Sequence, residues 1–456
     1  MVIGYHPCVN VVAKPCAASP LVQACAAIFP EPSAPPMPLS PPTILSACAR
    51  ALRLAACLAV LSLTQPVAAA NPDPDPRDWP AVEAAARGQT VHWHAWGGSP
   101  LVNDYIAWVG ARVAERFDID LRHVKLADTA DAVARVLAEK AAGRREGGSV
   151  DLIWINGENF AAMKSQGLLF GPWAESLPNW RHLDVAGNPM LTADFTVPTE
   201  GYESPWSLAQ VVFYHDTARL PEPPRTLDAL LAYAERDPGR FAFPAPPDFL
   251  GSTFLKQALI GLIETPDALA APAPGDPAHF EALTAPLWAY LDRLTPRLWR
   301  SGRAWPQNGT RLKALMADGE IDLALSFNPA EASAAIRRQE LPASVRTYVL
   351  SGGTLGNANF VAIPFNAETK AGAMVVADFL LDPEAQAHKQ DPAVWGAFTV
   401  LDVARLPPAD RARFEALELG EATLSPAALG QALEEPHPSW MVALEEAWAR
   451  RYGSGR

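Results

Sequence analysis

Between Thr90 and Asn156 the chain alternates short apolar runs with amphipathic stretches, and this constrains its fold more than any other feature. "TVHWHAW" reads as a strand. Leu101, Tyr105, Val109 and Val113 then recur every fourth residue, which places one apolar stripe on a helix. "IDLRHVKL" is the next strand. The helix after it is expected from Thr129, with Val133, Val136 and Leu137 facing inward and Gly143 as its stop. "VDLIWIN" closes the series as a nearly unbroken apolar run, the kind buried on both faces of a parallel sheet. Strand–helix–strand–helix–strand at such spacing predicts a doubly wound α/β unit.

A second α/β pattern follows residue 200. "LAQVVFYH" reads as a strand, "TLDALLAYAER" as a helix capped by Thr226, and "RFAFP" as a short strand. "GSTFLKQALIGLI" opens a helix, and "IDLALSF" and "NANFVAIPF" are strands, the latter leading into the helix "AGAMVVADFLLD". The chain of 456 residues is long enough for two lobes.

All five cysteines (Cys8, Cys16, Cys25, Cys48, Cys57) precede residue 58, so the later chain has neither disulfide nor thiol chemistry. "RALRLAACLAVLSLTQPVAAANPDP" carries Arg50 and Arg53, then an apolar run from Leu54 to Leu63, then the small residues Ala68 and Ala70. That order is an export signal, and an apolar stretch of about ten residues falls short of the roughly twenty of a membrane span. Residues 37–70 are therefore the expected signal peptide, starting at Met37 and cleaved near Ala70, with 1–36 an upstream extension and 71–87 a Pro-rich linker. "LSAC" and "LAAC" lack the apolar run a lipoprotein signal needs before them. The expectation is a soluble periplasmic protein. A net charge of −13 argues against a nucleic-acid binder, which carries a concentrated basic face.

The strand ends carry the chemistry. In "HAWGGSP", Trp96, Gly97, Gly98 and Ser99 link a strand to a helix that opens at Pro100. Bare N–H groups and a positive dipole end then lie at the sheet edge where α/β proteins bind ligands. The stretch is neither a dinucleotide fingerprint nor a P-loop. "WINGENF" puts Asn156, Gly157, Glu158 and Asn159 at another strand end. "FLGSTF" puts Ser252 and Thr253 at a helix start, and Asn328, Asn357 and Asn359 flank later strands. Trp206 lies at the expected crossing. Together these describe a cleft lined by hydrogen-bonding groups. His92 and His94 share a strand face but have no third ligand nearby, so no metal is expected. A secreted α/β hydrolase is the alternative, but no G-x-S-x-G, H-E-x-x-H or S-x-x-K motif is present.

"AWGGSP", "SVDLIWINGENFAAMKSQGLL", "SPWSLAQVVFYHD", "PGRFAFPAPPDFLGSTFLKQAL" and "GNANFVAIPFNAETKAGAMVVADFLLDPEAQ" resemble the extracellular solute-binding proteins of ABC importers, in their YnjB-like branch. The resemblance runs from about residue 88 to the C-terminus. It implies a two-lobed, type II periplasmic-binding-protein-like α/β fold, with two doubly wound sheets joined by a hinge. It assigns 88–205 plus 357–395 to one lobe and 206–356 plus 396–456 to the other. The implied protein is a monomer without cofactor or catalytic residues. It would deliver a small solute to an inner-membrane ABC permease with a cytoplasmic ATPase. The solute is left open between thiamine-like, polyamine-like and anionic molecules. The tryptophans with Glu158 suit a cation, and helix starts at Ser99 and Ser252 suit an anion.

Overall fold

The structure is a computed structural model that describes residues 73–453. The expected signal peptide, the upstream extension and the five cysteines lie outside the described residues.

The first described element corrects the sequence reading. Residues 79–86 are not linker but a helix, α1 (Trp79–Ala86). Asp78 caps it by accepting from the Ala81 N–H at 3.3 Å, and Pro80 suits the first turn. Val82 and Ala86, four apart, are fully buried. The ion pair Lys370–Asp73 at 2.7 Å ties down the chain just before it.

The expected βαβαβ unit follows as β1 (Thr90–Trp96), α2 (Pro100–Phe117), β2 (Asp120–Leu126), α3 (Ala130–Ala141) and β3 (Leu152–Ile155). Tyr105, Val109 and Val113 of α2 are buried, as are Val133 and Val136 of α3, but Leu137 is exposed. α4 (Gly157–Ser165) leaves β3, and the small hairpin β4 (Ala193–Asp194) and β5 (Val197–Pro198) comes after it. β6 (Glu203–Gln210) and the much later β10 (Gly356–Ala362) complete the first sheet, in the order β2-β1-β3-β10-β6. β1, β2 and β3 are mutually parallel, while β10 runs antiparallel to β3 and β6. The carboxyl ends of three parallel strands, at Trp96, Leu126 and Ile155, therefore share one edge.

"LAQVVFYH" is not one strand. It is divided at Val211, whose N–H donates to the Leu355 carbonyl at 2.7 Å, between β6 and β7 (Val212–Asp216). β7 belongs to a second sheet with β8 (Leu323–Ser326) and β9 (Val345–Tyr348), in the order β8-β7-β9. Both pairings are antiparallel, so this sheet is not doubly wound in its named strands. "RFAFP" adds to it only through a single parallel bridge between Phe241 and Leu323.

Around this sheet lie α5 (Leu227–Arg236), α6 (Phe249–Leu262), α7 (Pro277–Leu294), α8 (Gly309–Ala317) and α9 (Glu331–Arg337). Beyond β10 come α10 (Lys370–Leu380), α11 (Pro383–Gln390), α12 (Pro408–Glu415) and, at the end, α13 (Ser439–Tyr452). Two separate apolar cores result. The first includes Trp93, Tyr105, Ile153, Trp206 and Phe360; the second includes Phe213, Phe243, Phe254, Leu287 and Leu444. The tail is shared between them, with Ala397 to Phe414 packing in the first and Ala422 to Trp448 in the second. This corrects the assignment implied by the resemblance, in which all of 396–456 belongs to the second lobe.

Candidate functional site

At the end of β1 the two glycines have a steric reason. A β-carbon on Gly98 would overlap the Trp96 ring, and one on Gly97 would come within 2.6 Å of the Lys125 β-carbon. Neither residue adopts a positive φ, so packing rather than backbone freedom selects glycine here. Asn103 donates to the Gly97 carbonyl at 3.1 Å and fixes the turn. Ser99 holds the N-cap position in extended backbone, yet its side chain makes no cap hydrogen bond. The Gly98 carbonyl accepts from the Thr310 hydroxyl at 3.4 Å, and Thr310 lies in the first turn of α8 beside the second sheet. This stretch therefore faces the second lobe.

At the end of β3, Asn156 donates to the Ala358 carbonyl at 2.6 Å, which uses its amide to hold β3 against β10. Gly157 has φ +56, and its N–H donates to Asp194 at 2.6 Å. Here glycine is required twice over, by the left-handed backbone and by the Phe195 ring, 2.8 Å from where a β-carbon would sit. Glu158 follows. One of its carboxylate oxygens accepts from Asn159 at 2.7 Å, and the other is buried with no partner. Burial pushes its carboxyl up to about 7, with like charge from Glu445 and Asp128 adding to the rise and Lys256 opposing it.

The second lobe supplies the opposite wall. α6 starts at Phe249, not at Ser252 as the sequence reading had it. Asp248 caps it, accepting from the N–H groups of Leu250 at 3.0 Å and Gly251 at 3.4 Å. A carboxylate already fills this helix end, which removes one of the two sites proposed for an anion. Burial raises Asp248 to about 6. Ser252 is buried in the helix and donates to Glu445 of α13 at 2.6 Å, and Thr253 has no exposed surface. One turn on, Lys256 forms a buried ion pair with Glu435 at 2.6 Å. Its ammonium lies 4.3 Å from the centre of the Phe195 ring and 5.6 Å from that of Phe249. Phe249 is a large apolar side chain left 38% exposed, beside Phe327 at 5.1 Å.

Four of the expected residues serve the frame. Trp206 has no exposed surface and packs edge-on against Trp93 and Trp154, with ring centres at 5.4 and 4.9 Å. It cannot present a face to a solute in the cleft. Asn359 bridges Trp154 at 3.2 Å and Ser207 at 2.7 Å. Asn357 donates to Glu435 at 3.1 Å, and Asn328 caps Ala330 and donates to the Trp395 carbonyl at 2.9 Å. His92 is also accounted for, since its ring lies 3.0 Å from Asp151.

Several residues of the locus carried no sequence signal. Asp128 follows β2, Asp194 and Phe195 sit in a two-residue hairpin, and Lys256, Glu435 and Glu445 are ordinary charged residues of helix or loop. Asp248 alone was legible as a helix cap, in "PPDFLGS". Asp194 and Glu203 are buried carboxyls, and desolvation holds both well above the usual carboxylate range.

Two α/β lobes whose strand ends and helix starts meet at carboxylates and aromatic rings suit a solute receptor. Residues 108–412 match the family model for bacterial extracellular solute-binding proteins. The chain is 47% identical over 377 residues to protein YnjB of Escherichia coli K12, an alignment covering 83% of this chain and 94% of that one. Among solved structures it is similar to the periplasmic binding protein AfuA of Actinobacillus pleuropneumoniae, with TM-score 0.56, 14% identity and coverage of 80% and 99%. It is also similar to the spermidine/putrescine ABC transporter substrate-binding protein PotD of Streptococcus pneumoniae, with TM-score 0.52, 14% identity and coverage of 80% and 99%. The chain belongs to the bacterial extracellular solute-binding proteins. Family and fold are those of transport receptors, not of secreted hydrolases.

Proposed function

We propose that this protein captures a small organic cation between its two lobes in the periplasm and hands it to an inner-membrane ABC permease driven by a cytoplasmic ATPase. Export with cleavage near Ala70 belongs to the same reading, as do lobes that part at the Val211 and Leu355 crossings. The observation that carries the choice of charge is the buried, unpartnered oxygen of Glu158. A buried carboxylate oxygen without a partner is costly, and a positive group brought by the solute would offset that cost. Asp128 and Glu445 lie close enough to Glu158 to add negative potential, and Asp128 acts in the same way on Asp248. The nearest cation, Lys256, is taken by Glu435. The aromatic side chains Trp96 and Phe249 favour an organic cation over a bare metal ion.

Relatives named for opposite ligands share this fold: AfuA was solved with fructose-6-phosphate, and PotD is named for spermidine and putrescine. The fold therefore does not choose, and the side chains must. The competing reading is an anion at the start of α2, where Ser99 leaves the helix uncapped. Thermal unfolding of the full protein with spermidine, thiamine or inorganic phosphate separates the two. Saturable stabilisation by a cationic probe, with none by phosphate, is expected. Stabilisation by phosphate alone overturns the choice of charge.

A further inference from the structure

The β4–β5 hairpin turns on two non-glycine residues of positive φ, Phe195 at +44 and Thr196 at +74. Such a two-residue turn ordinarily uses Asn-Gly, since side chains are strained there. Strain of this kind persists only where surroundings hold it. Phe195 is 3% exposed, yet it belongs to neither apolar core. Its ring fills the space left by the missing side chain of Gly157, on the first lobe. It also meets the second lobe, with the Lys256 ammonium 4.3 Å from its centre and the Phe249 ring centre at 6.4 Å. Glu435 fixes that ammonium from behind.

We propose that Phe195 is a positioning residue that latches the lobes, its ring held out on the strained hairpin to dock on Lys256 and Phe249. The proposal rests on the two-lobed capture reading above. A ring face against a buried ammonium is an attraction that an aliphatic side chain of similar size cannot supply. The latch keeps the lobes together before solute arrives and so lowers the conformational cost that the solute must meet.

The test uses the full chain with Cys8, Cys16, Cys25, Cys48 and Cys57 replaced by serine. Spin labels are placed at Asp104→Cys and Arg311→Cys, exposed positions on α2 and α8. Inter-label distances are measured without solute and with spermidine. In Phe195→Ala and Phe195→Leu the ratio of short to long distances is expected to fall at least about fivefold, because a desolvated cation–π contact is stronger than an exposed one. Phe195→Tyr keeps the ring and should keep the ratio. Phe195→Leu guards against an alanine variant that does not fold. A wild-type distribution in folded Phe195→Leu overturns the latch. If solute-free distributions shift as expected while spermidine changes none of them, the latch stands and spermidine as solute falls.

Discussion

Glu158→Gln tests the electrostatics of the locus most directly. In the unfolded chain this carboxyl ionises near its ordinary 4.5, and in the folded protein burial raises it to about 7. Below 4.5 both states hold the proton, so the residue makes no difference to stability. Above 7 both are ionised and the fold carries the whole cost of a buried charge, about 3.5 kcal/mol at about 1.4 kcal/mol per tenfold. Stability contributed at this site therefore falls as pH rises through that window and is flat beyond it. Gln at position 158 cannot ionise, and so it removes the component. Urea unfolding of the full protein at pH 5 and pH 8 should show the wild type losing about 2 kcal/mol more than the variant across that interval. Taking the difference between the two proteins cancels the parallel contributions of Asp248, raised to about 6, and Asp378, raised to about 7.

Solute binding should invert the trend. A bound cation holds Glu158 ionised, so wild-type affinity rises with pH between 5 and 8 and binding releases protons. In Glu158→Gln the affinity should depend less on pH, keeping only the smaller rise from ionisation of the neighbouring carboxylates, and should be about tenfold weaker at pH 8, the scale of a lost charge-assisted hydrogen bond. Calorimetric titration in buffers of different ionisation enthalpy reads both quantities. Parallel stability curves for wild type and variant would refute the reasoning, because the buried oxygen would then carry no cost for a solute to relieve.

Trp96→Ala is expected to weaken binding of a cationic probe about five- to thirtyfold, the effect of about 1–2 kcal/mol, with little loss of stability, as read by titration and melting together. Gly98→Val drives its side chain into the Trp96 ring and should displace that ring, giving at least the same loss of affinity. Trp206→Ala should lose about 3–5 kcal/mol in urea unfolding while the folded fraction binds as wild type; a selective loss of affinity would return Trp206 to the cleft wall. Asp248→Ala removes the cap of α6 and should lower stability by about 1 kcal/mol, measured by denaturant midpoint.

How much of this was legible follows from the range of the interactions involved. The first lobe could be read because its signals are local: β1 and β3 are runs of apolar residues, and α2 repeats its stripe every fourth position. Where a local rule failed, a distant partner or a masked cue was the reason. Leu137 fits the inward stripe of α3 yet is exposed, because no neighbouring element covers that position of the helix. Proline-rich composition hid α1, although Asp78, Pro80 and the Val82–Ala86 pair state a capped amphipathic helix. The split of "LAQVVFYH" at Val211 depends on Leu355, far along the chain.

The site shows the same limit more sharply. Small polar residues at the ends of β1 and β3 gather at one edge of the first sheet, because a parallel sheet must put its carboxyl ends together. Whether each one is free to bind depends on what its hydrogen bonds already hold, and those partners are remote in sequence. Asn156 is used by Ala358, Asn357 by Glu435 and Ser252 by Glu445. Glu158 differs from them because one oxygen is left over, and that remainder follows from the packing of Gly157, Asp194 and Phe195 around it. A residue such as Phe195, with no motif and an unfavourable backbone, is therefore invisible to pattern and conspicuous in three dimensions. Its ring touches Gly157 of one lobe and Lys256 and Phe249 of the other, and on the proposed latch a residue that pattern reading passes over is the one expected to couple solute capture to lobe closure.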